Sequence, residues 1–128
     1  MRSDCPVSYA LDFIGDKWTL LIIRDMMEGK SFYKDFLNAK EGIATNILSD
    51  RLKRLEQQGI INSKVYEERK TMKQYSMTRK GKDLIPIVVE LILWSAKYEN
   101  HLAVTDQFLE KGRSDRSALI KAIEENLN

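Results

Sequence analysis

IATNILSDRLKRLEQQG, residues 43–59, runs directly into IINSKVYEERKTMKQYSM, residues 60–77, and TRKG, residues 78–81. The first piece carries a helical period. Leu52 and Leu55 follow Leu48 at i+4 and i+7, with Ala44 one turn earlier, so one apolar stripe is expected. The other face holds Asn46, Ser49, Asp50, Lys53 and Gln57, flanked by Thr45 and Arg54. Gly59 stands where a left-handed residue would end the helix. Two short alternating runs follow. Ile61, Ser63 and Val65 fall on one face of the first, Tyr75 and Met77 on one face of the second, with a charged turn from Glu67 to Thr71 between them.

A polar-faced helix followed by a basic hairpin is the layout of a winged helix-turn-helix, which points to a DNA reader. The charge distribution agrees. Net charge is only +2, but residues 64–82 hold seven basic side chains against two acidic ones. Residues 99–128 reverse this, with six acids against four bases. The basic excess therefore lies where a wing would meet phosphates.

At 128 residues, with 43% hydrophobic and 31% charged side chains, the chain has the size and composition of one globular domain. The most apolar run, Leu84–Trp94, is eleven residues long and contains Pro86 and Glu90, too short to span a bilayer. No membrane span and no leader peptide are expected. A single cysteine excludes a disulfide framework and a Cys-based zinc cluster, and the expected compartment is the cytoplasm.

In chain order, Pro6 suits the first position of a short helix ending at Gly15, which leaves Cys5 at or beside its N-cap. Asp16 is expected to cap a largely apolar, central helix over Lys17–Met27, ended by Gly29. Ser31 reads as the cap of a third helix through Leu37. The Lys40-Glu41-Gly42 turn then joins it to the 43–58 helix, making the helix-turn-helix. After the hairpin, Thr78 is expected to cap one helix running to about His101, apolar on nearly every side and so in want of a second subunit. The tail reads as a segment from Thr105 to Lys111, a stop at Gly112, and a helix from Ser114 with Leu119, Ile120, Ile123 and Leu127 as its stripe.

These residues carry a resemblance. Cys5-Pro6-Val7, Ile14-Gly15-Asp16-Lys17-Trp18-Thr19-Leu20-Leu21-Ile22, Gly42-Ile43-Ala44-Thr45-Asn46-Ile47-Leu48, Arg51-Leu52-Lys53-Arg54-Leu55-Glu56 and Tyr75-Ser76-Met77-Thr78-Arg79-Lys80-Gly81 stand in that order, followed by Leu84-Ile85-Pro86 and Trp94. Over roughly Cys5–Trp94 the chain resembles the HxlR-type transcriptional regulators, winged-helix proteins related to the MarR repressors. The resemblance implies a homodimer that binds double-stranded operator DNA and usually represses nearby genes. It also implies that a cysteine at this position often senses oxidants or electrophiles. Two departures stand out: Ser31 replaces a usual arginine, and Thr71-Met72-Lys73 lacks a frequent wing proline.

The fold expected is mainly α with a small β-hairpin wing, dimerising through its N- and C-terminal helices. Residues 1–128 would form one winged-helix domain, about 5–94 as the family core and 95–128 as a dimerisation extension. Side chains near the start of a groove-bound helix usually reach the bases, so Thr45, Asn46 and Ser49 are the candidates for base edges. Asn46 can pair bidentately with adenine. Lys53 and Arg54 would meet a base or phosphate. Arg69, Lys70 and Lys73 would grip phosphate or the minor groove, with Arg79 and Lys80 adding backbone contacts.

For Cys5 two readings stand side by side: a thiol activated at a helix N-terminus, or a small packed apolar residue. No cofactor or metal is called for. One histidine, His101, without a nucleophile–base pattern or phosphate-cradling loop argues against an enzyme. The rivals are a winged-helix protein–protein module and a regulator answering a small molecule through an aromatic cleft near Phe13, Trp18, Trp94 or Tyr98.

Overall fold

A computed structural model describes residues 4–127. Its elements run α1 (Pro6–Ile14), α2 (Lys17–Met27), α3 (Tyr33–Leu37), α4 (Thr45–Gln57), β1 (Ile61–Val65), β2 (Lys73–Met77), α5 (Arg79–Lys82), α6 (Ile85–Tyr98), α7 (Asp106–Ser114) and α8 (Arg116–Glu125). The chain divides after Lys82 into two compact units.

The first unit is the winged helix-turn-helix. Pro6 opens α1 with Cys5 as N-cap, and Asp16 caps α2 by accepting the Thr19 amide at 3.0 Å. Burial then follows the apolar periods. Ile22, Ile23 and Met26 of α2, Phe36 of α3 and Leu48, Leu52 and Leu55 of α4 are all within 3% of full burial. Truncating such a leucine typically costs about 2–5 kcal/mol. Ala44 does not join that stripe; it is the exposed N-cap of α4. Gly59 takes φ +73°, the left-handed turn that lets the chain leave α4 and enter β1.

β1 and β2 pair antiparallel with Ile61 opposite Met77, Ser63 opposite Tyr75 and Val65 opposite Lys73. Chain far upstream meets the wing's base. The Tyr75 amide donates to Ser31 O at 2.8 Å, and Phe32 bridges Gln74. That contact explains one correction: Ser31 is not the cap of α3. Phe32 is the N-cap, and Asp35 Oδ2 accepts its amide at 3.2 Å. Beyond the wing, Thr78 Oγ1 accepts the Gly81 amide at 3.1 Å and so caps α5.

α5 is only one turn. The single helix expected from Thr78 to His101 is broken at Asp83–Leu84, and α6 starts anew at Ile85. Pro86 supplies the cause: it has no N–H for the i−4 carbonyl and its ring crowds that carbonyl, whereas the first turn of a fresh helix tolerates it.

In the second unit α6, α7 and α8 pack together. Thr105 caps α7 through the Phe108 amide at 3.1 Å, and Asp115 caps α8 through Ala118 at 3.1 Å. Gly112 does not stop a helix. It lies buried inside α7, where an added Cβ would sit 3.0 Å from Leu93 Cδ2 and 3.2 Å from Leu119 Cδ2. The absent side chain is thus a packing requirement between three helices. Arg116 of α8 also pairs with Glu90 of α6 at 2.6 Å. α6 buries Ile85, Val88, Val89 and Leu93, while Ile87, Leu91, Trp94 and Tyr98 form an exposed apolar line at helical spacing.

Candidate nucleic-acid interface

α4 presents a polar face. Thr45, Asn46, Ser49 and Lys53 recur at i, i+1, i+4 and i+8, and all four are exposed, opposite the buried leucines. Arg54 sits at the edge of this face. Asp50 lies between Arg51 Nη1 at 2.6 Å and Arg54 Nη1 at 3.9 Å, so Arg54 is turned partly toward a carboxylate of its own helix.

The position of α4 is held from two sides. Arg51 Nε reaches Asp16 Oδ2 at 3.1 Å, tying the helix to the start of α2. Burial pushes the Asp16 carboxyl up, but the Thr19 amide and hydroxyl and the Arg51 guanidinium together hold it below its ordinary value. At the other side Arg24 of α2 grips Glu41 in the turn that precedes α4, at 2.8 and 3.0 Å. The same guanidinium reaches the buried Asp25 at 2.7 Å.

The wing carries the cations forward. The Tyr66 amide donates to Met72 O at 2.8 Å and closes the turn that exposes Arg69 and Lys70 at its tip, with Lys73 exposed at the start of β2. Phe32 packs edge-on against Tyr66, ring centroids 4.9 Å apart, bracing the wing against the segment before α3.

Arg79 and Lys80, the remaining candidates, belong to α5. Arg79 is exposed on α5. Lys80 Nζ donates to Gln58 O at 2.8 Å and lies 5.1 Å from the Phe13 ring centroid. It therefore sits at the C-terminal end of α4, about 20 Å along the helix from Thr45. A residue missing from the expectations is Tyr33 of α3. Its hydroxyl lies 3.3 Å from Thr45 O and 3.3 Å from Ser49 Oγ. Its only sequence signal is its place in the first helix of the helix-turn-helix.

Cys5 is exposed rather than packed. It borders an open groove of about 760 Å³, lined also by Leu11, Asp12, Asp16, Arg51 and Arg54, with no aromatic ring in its wall. Phe13 instead meets Tyr9 edge to face, centroids 4.9 Å apart, and Trp18 carries Lys17 over its face at 4.6 Å. Among the described residues no helix is long and apolar enough to cross a membrane. Nor, among them, does any cluster of three or more His, Cys, Asp or Glu suit a metal ion.

A buried-stripe helix presented beside a basic hairpin defines a winged helix-turn-helix DNA-binding protein. The family model described as HxlR-like helix-turn-helix matches residues 13–103. The chain belongs to that family and is a transcriptional regulator of the helix-turn-helix type. It is 33% identical over 87 residues to the HTH-type transcriptional regulator sll1512 of Synechocystis, covering 68% of this chain and 64% of that relative, just under two thirds of its length. It is 31% identical over 111 residues to the HTH-type transcriptional regulator YybR of Bacillus subtilis, covering 87% and 86%. Among solved structures it is similar to the redox regulator HypR in its oxidised form, with 32% identity and a TM-score of 0.67 over 74% of this chain and 98% of that one. These relatives are named as regulators, two of them as transcriptional regulators.

Proposed function

We propose that the protein is a homodimeric, sequence-specific repressor whose operator affinity responds to oxidants or electrophiles at Cys5. The observation that carries the DNA reading is the shared exposed face of Thr45, Asn46, Ser49 and Lys53 beside the Arg69–Lys70–Lys73 wing. Cations on the wing would position the protein on phosphates, and the α4 face would read bases. The work takes place where the DNA is, in the cytoplasm, and needs no catalytic step.

Two features support the dimer. Val7, Tyr9 and Leu11 of α1 are 52–65% exposed, and Leu91, Trp94 and Tyr98 of α6 are 46–67% exposed. Apolar rows of this kind usually mark an interaction surface. In this reading residues of about 5–94 are the family core and 95–128 the dimerisation extension. Likeness to a redox regulator and the exposed Cys5 support the oxidant response. With one cysteine per chain, oxidation would join two copies or add a small thiol.

The test is a binding titration against DNA upstream of the protein's own and neighbouring genes, at several salt concentrations, with and without a thiol oxidant. Tight, salt-steep, site-selective binding is expected, weakened by oxidant in the wild type and indifferent to it in Cys5→Ser. Binding without selectivity would overturn the operator reading, and an unchanged oxidant response in Cys5→Ser would remove the sensor.

A further inference from the structure

Tyr33 is a polar side chain without an assigned role that touches the exposed face of α4. It comes from α3, yet its hydroxyl stands between two groups of α4, Thr45 O and Ser49 Oγ, both at 3.3 Å. A phenol has one proton to give. Thr45 O can only accept, whereas a serine hydroxyl can do either. Both contacts are satisfied at once in one arrangement: Tyr33 donates to Thr45 O, and Ser49 donates to the Tyr33 oxygen.

A serine inside a helix often returns its proton to the carbonyl four residues back. For Ser49 that carbonyl is Thr45 O, which already accepts the Ser49 amide within the helix. Its remaining lone pair faces the Tyr33 proton. In that arrangement the Ser49 proton is directed sideways to Tyr33, which leaves lone pairs of Ser49 Oγ for a donor outside the protein.

From this we infer that Tyr33 is a positioning residue that fixes Ser49 as a hydrogen-bond acceptor, so that Ser49 selects a base carrying an exocyclic amino group. In the major groove those are adenine N6 and cytosine N4. Guanine offers N7 and O6 there and thymine O4, all of them acceptors. Phosphate oxygens, also acceptors, are equally poor partners. The inference rests on the proposal that the α4 face reads DNA and adds which bases Ser49 takes.

The probe is the duplex that the wild-type protein enriches most from a random pool. In it adenines are replaced singly by purine and cytosines by 2-pyrimidinone, each deleting one amino group. At one position the deletion should weaken wild-type binding about fivefold and cost Ser49→Ala no further loss. Tyr33→Phe keeps the ring but not the hydroxyl; at that same position its deletion penalty should fall below about twofold. The Ser49→Ala arm decides the polarity even if Tyr33→Phe folds poorly. A Ser49-linked loss on deleting guanine O6 or N7 or thymine O4, or no base linked to Ser49 at all, would overturn the inference. Continued loss of selectivity in Asn46→Ala would then show that the DNA reading itself stands. Failure of the wild type to enrich any duplex would overturn both.

Discussion

Arg24 holds both carboxylate oxygens of Glu41, at 2.8 and 3.0 Å, across seventeen residues of chain. The pair fastens the turn before α4 to α2. The Arg24 hydrogen bonds are the main cause that holds the Glu41 carboxyl at about 2, against its ordinary 4.5. A carboxylate depressed in the folded state contributes fully above its unfolded value, and that contribution fades as pH falls toward the folded one. Acid should therefore weaken the fold between pH 4.5 and about 2. Glu41 is one-third exposed, so water screens the pair and its worth is on the order of 1 kcal/mol. Urea unfolding across that range should show wild type losing its advantage over Glu41→Gln; parallel curves would count against the clamp.

The wing and the end of α4 carry lysines of different kinds. Lys70 is exposed at the wing tip, whereas Lys80 is engaged with Gln58 O and the Phe13 ring. Replacing Lys70 by Ala should weaken binding to all duplexes alike and reduce the logarithmic salt slope by about 0.9. Lys80→Ala should leave that slope unchanged and lower the melting temperature. Salt titrations of both variants, with thermal melts, would reverse the assignment if the slope changed for Lys80 instead.

Asn46 lies in the first turn of α4 with its amide exposed. Its replacement by Ala should cost about 1–3 kcal/mol on the preferred duplex and little on random DNA. Equal losses on both would remove its base-reading role.

Gly81 is buried where a Cβ would run into the Ile60 carbonyl oxygen. Backbone cannot yield as a flexible side chain can, so Gly81→Ala should destabilise by about 1–3 kcal/mol. Chemical denaturation would measure it. A neutral result would mean that α5 moves away from Ile60 at little cost.

Local signals made much of this molecule legible. The Leu48, Leu52, Leu55 period gave α4, Gly59 its end, and the alternation about Glu67–Thr71 a hairpin whose pairing matches the expected faces. Asp16 and Thr78 cap where their chemistry suggests. What could not be read locally was decided by distant partners. Ser31 looks like a cap, but Gln74 and Tyr75, more than forty residues on, draw it to the sheet. Gly112 looks like a stop, but Leu93 and Leu119 need its missing side chain. Lys80 donates to Gln58 O, twenty-two residues back, a partner that no local pattern announces. Tyr33 signalled no more than its place in α3, because its importance lies in where that helix sets its hydroxyl against α4. Pro86 was visible, yet the apolar run beyond it masked the break.

The Ser31–Phe32 segment against β2 also bears on how the protein behaves at high concentration. An open hairpin has two rows of unpaired backbone groups, and two such hairpins can zip together edge to edge. Here the segment bonds to one side of β2, and β1 occupies the other. The outer edge of β1 is left, and it carries the exposed Asn62 and Lys64, with Lys64 charged to repel a like edge. The wing can thus project its cations into solvent while resisting self-adhesion, so a crowded population of these molecules is expected not to aggregate through this hairpin.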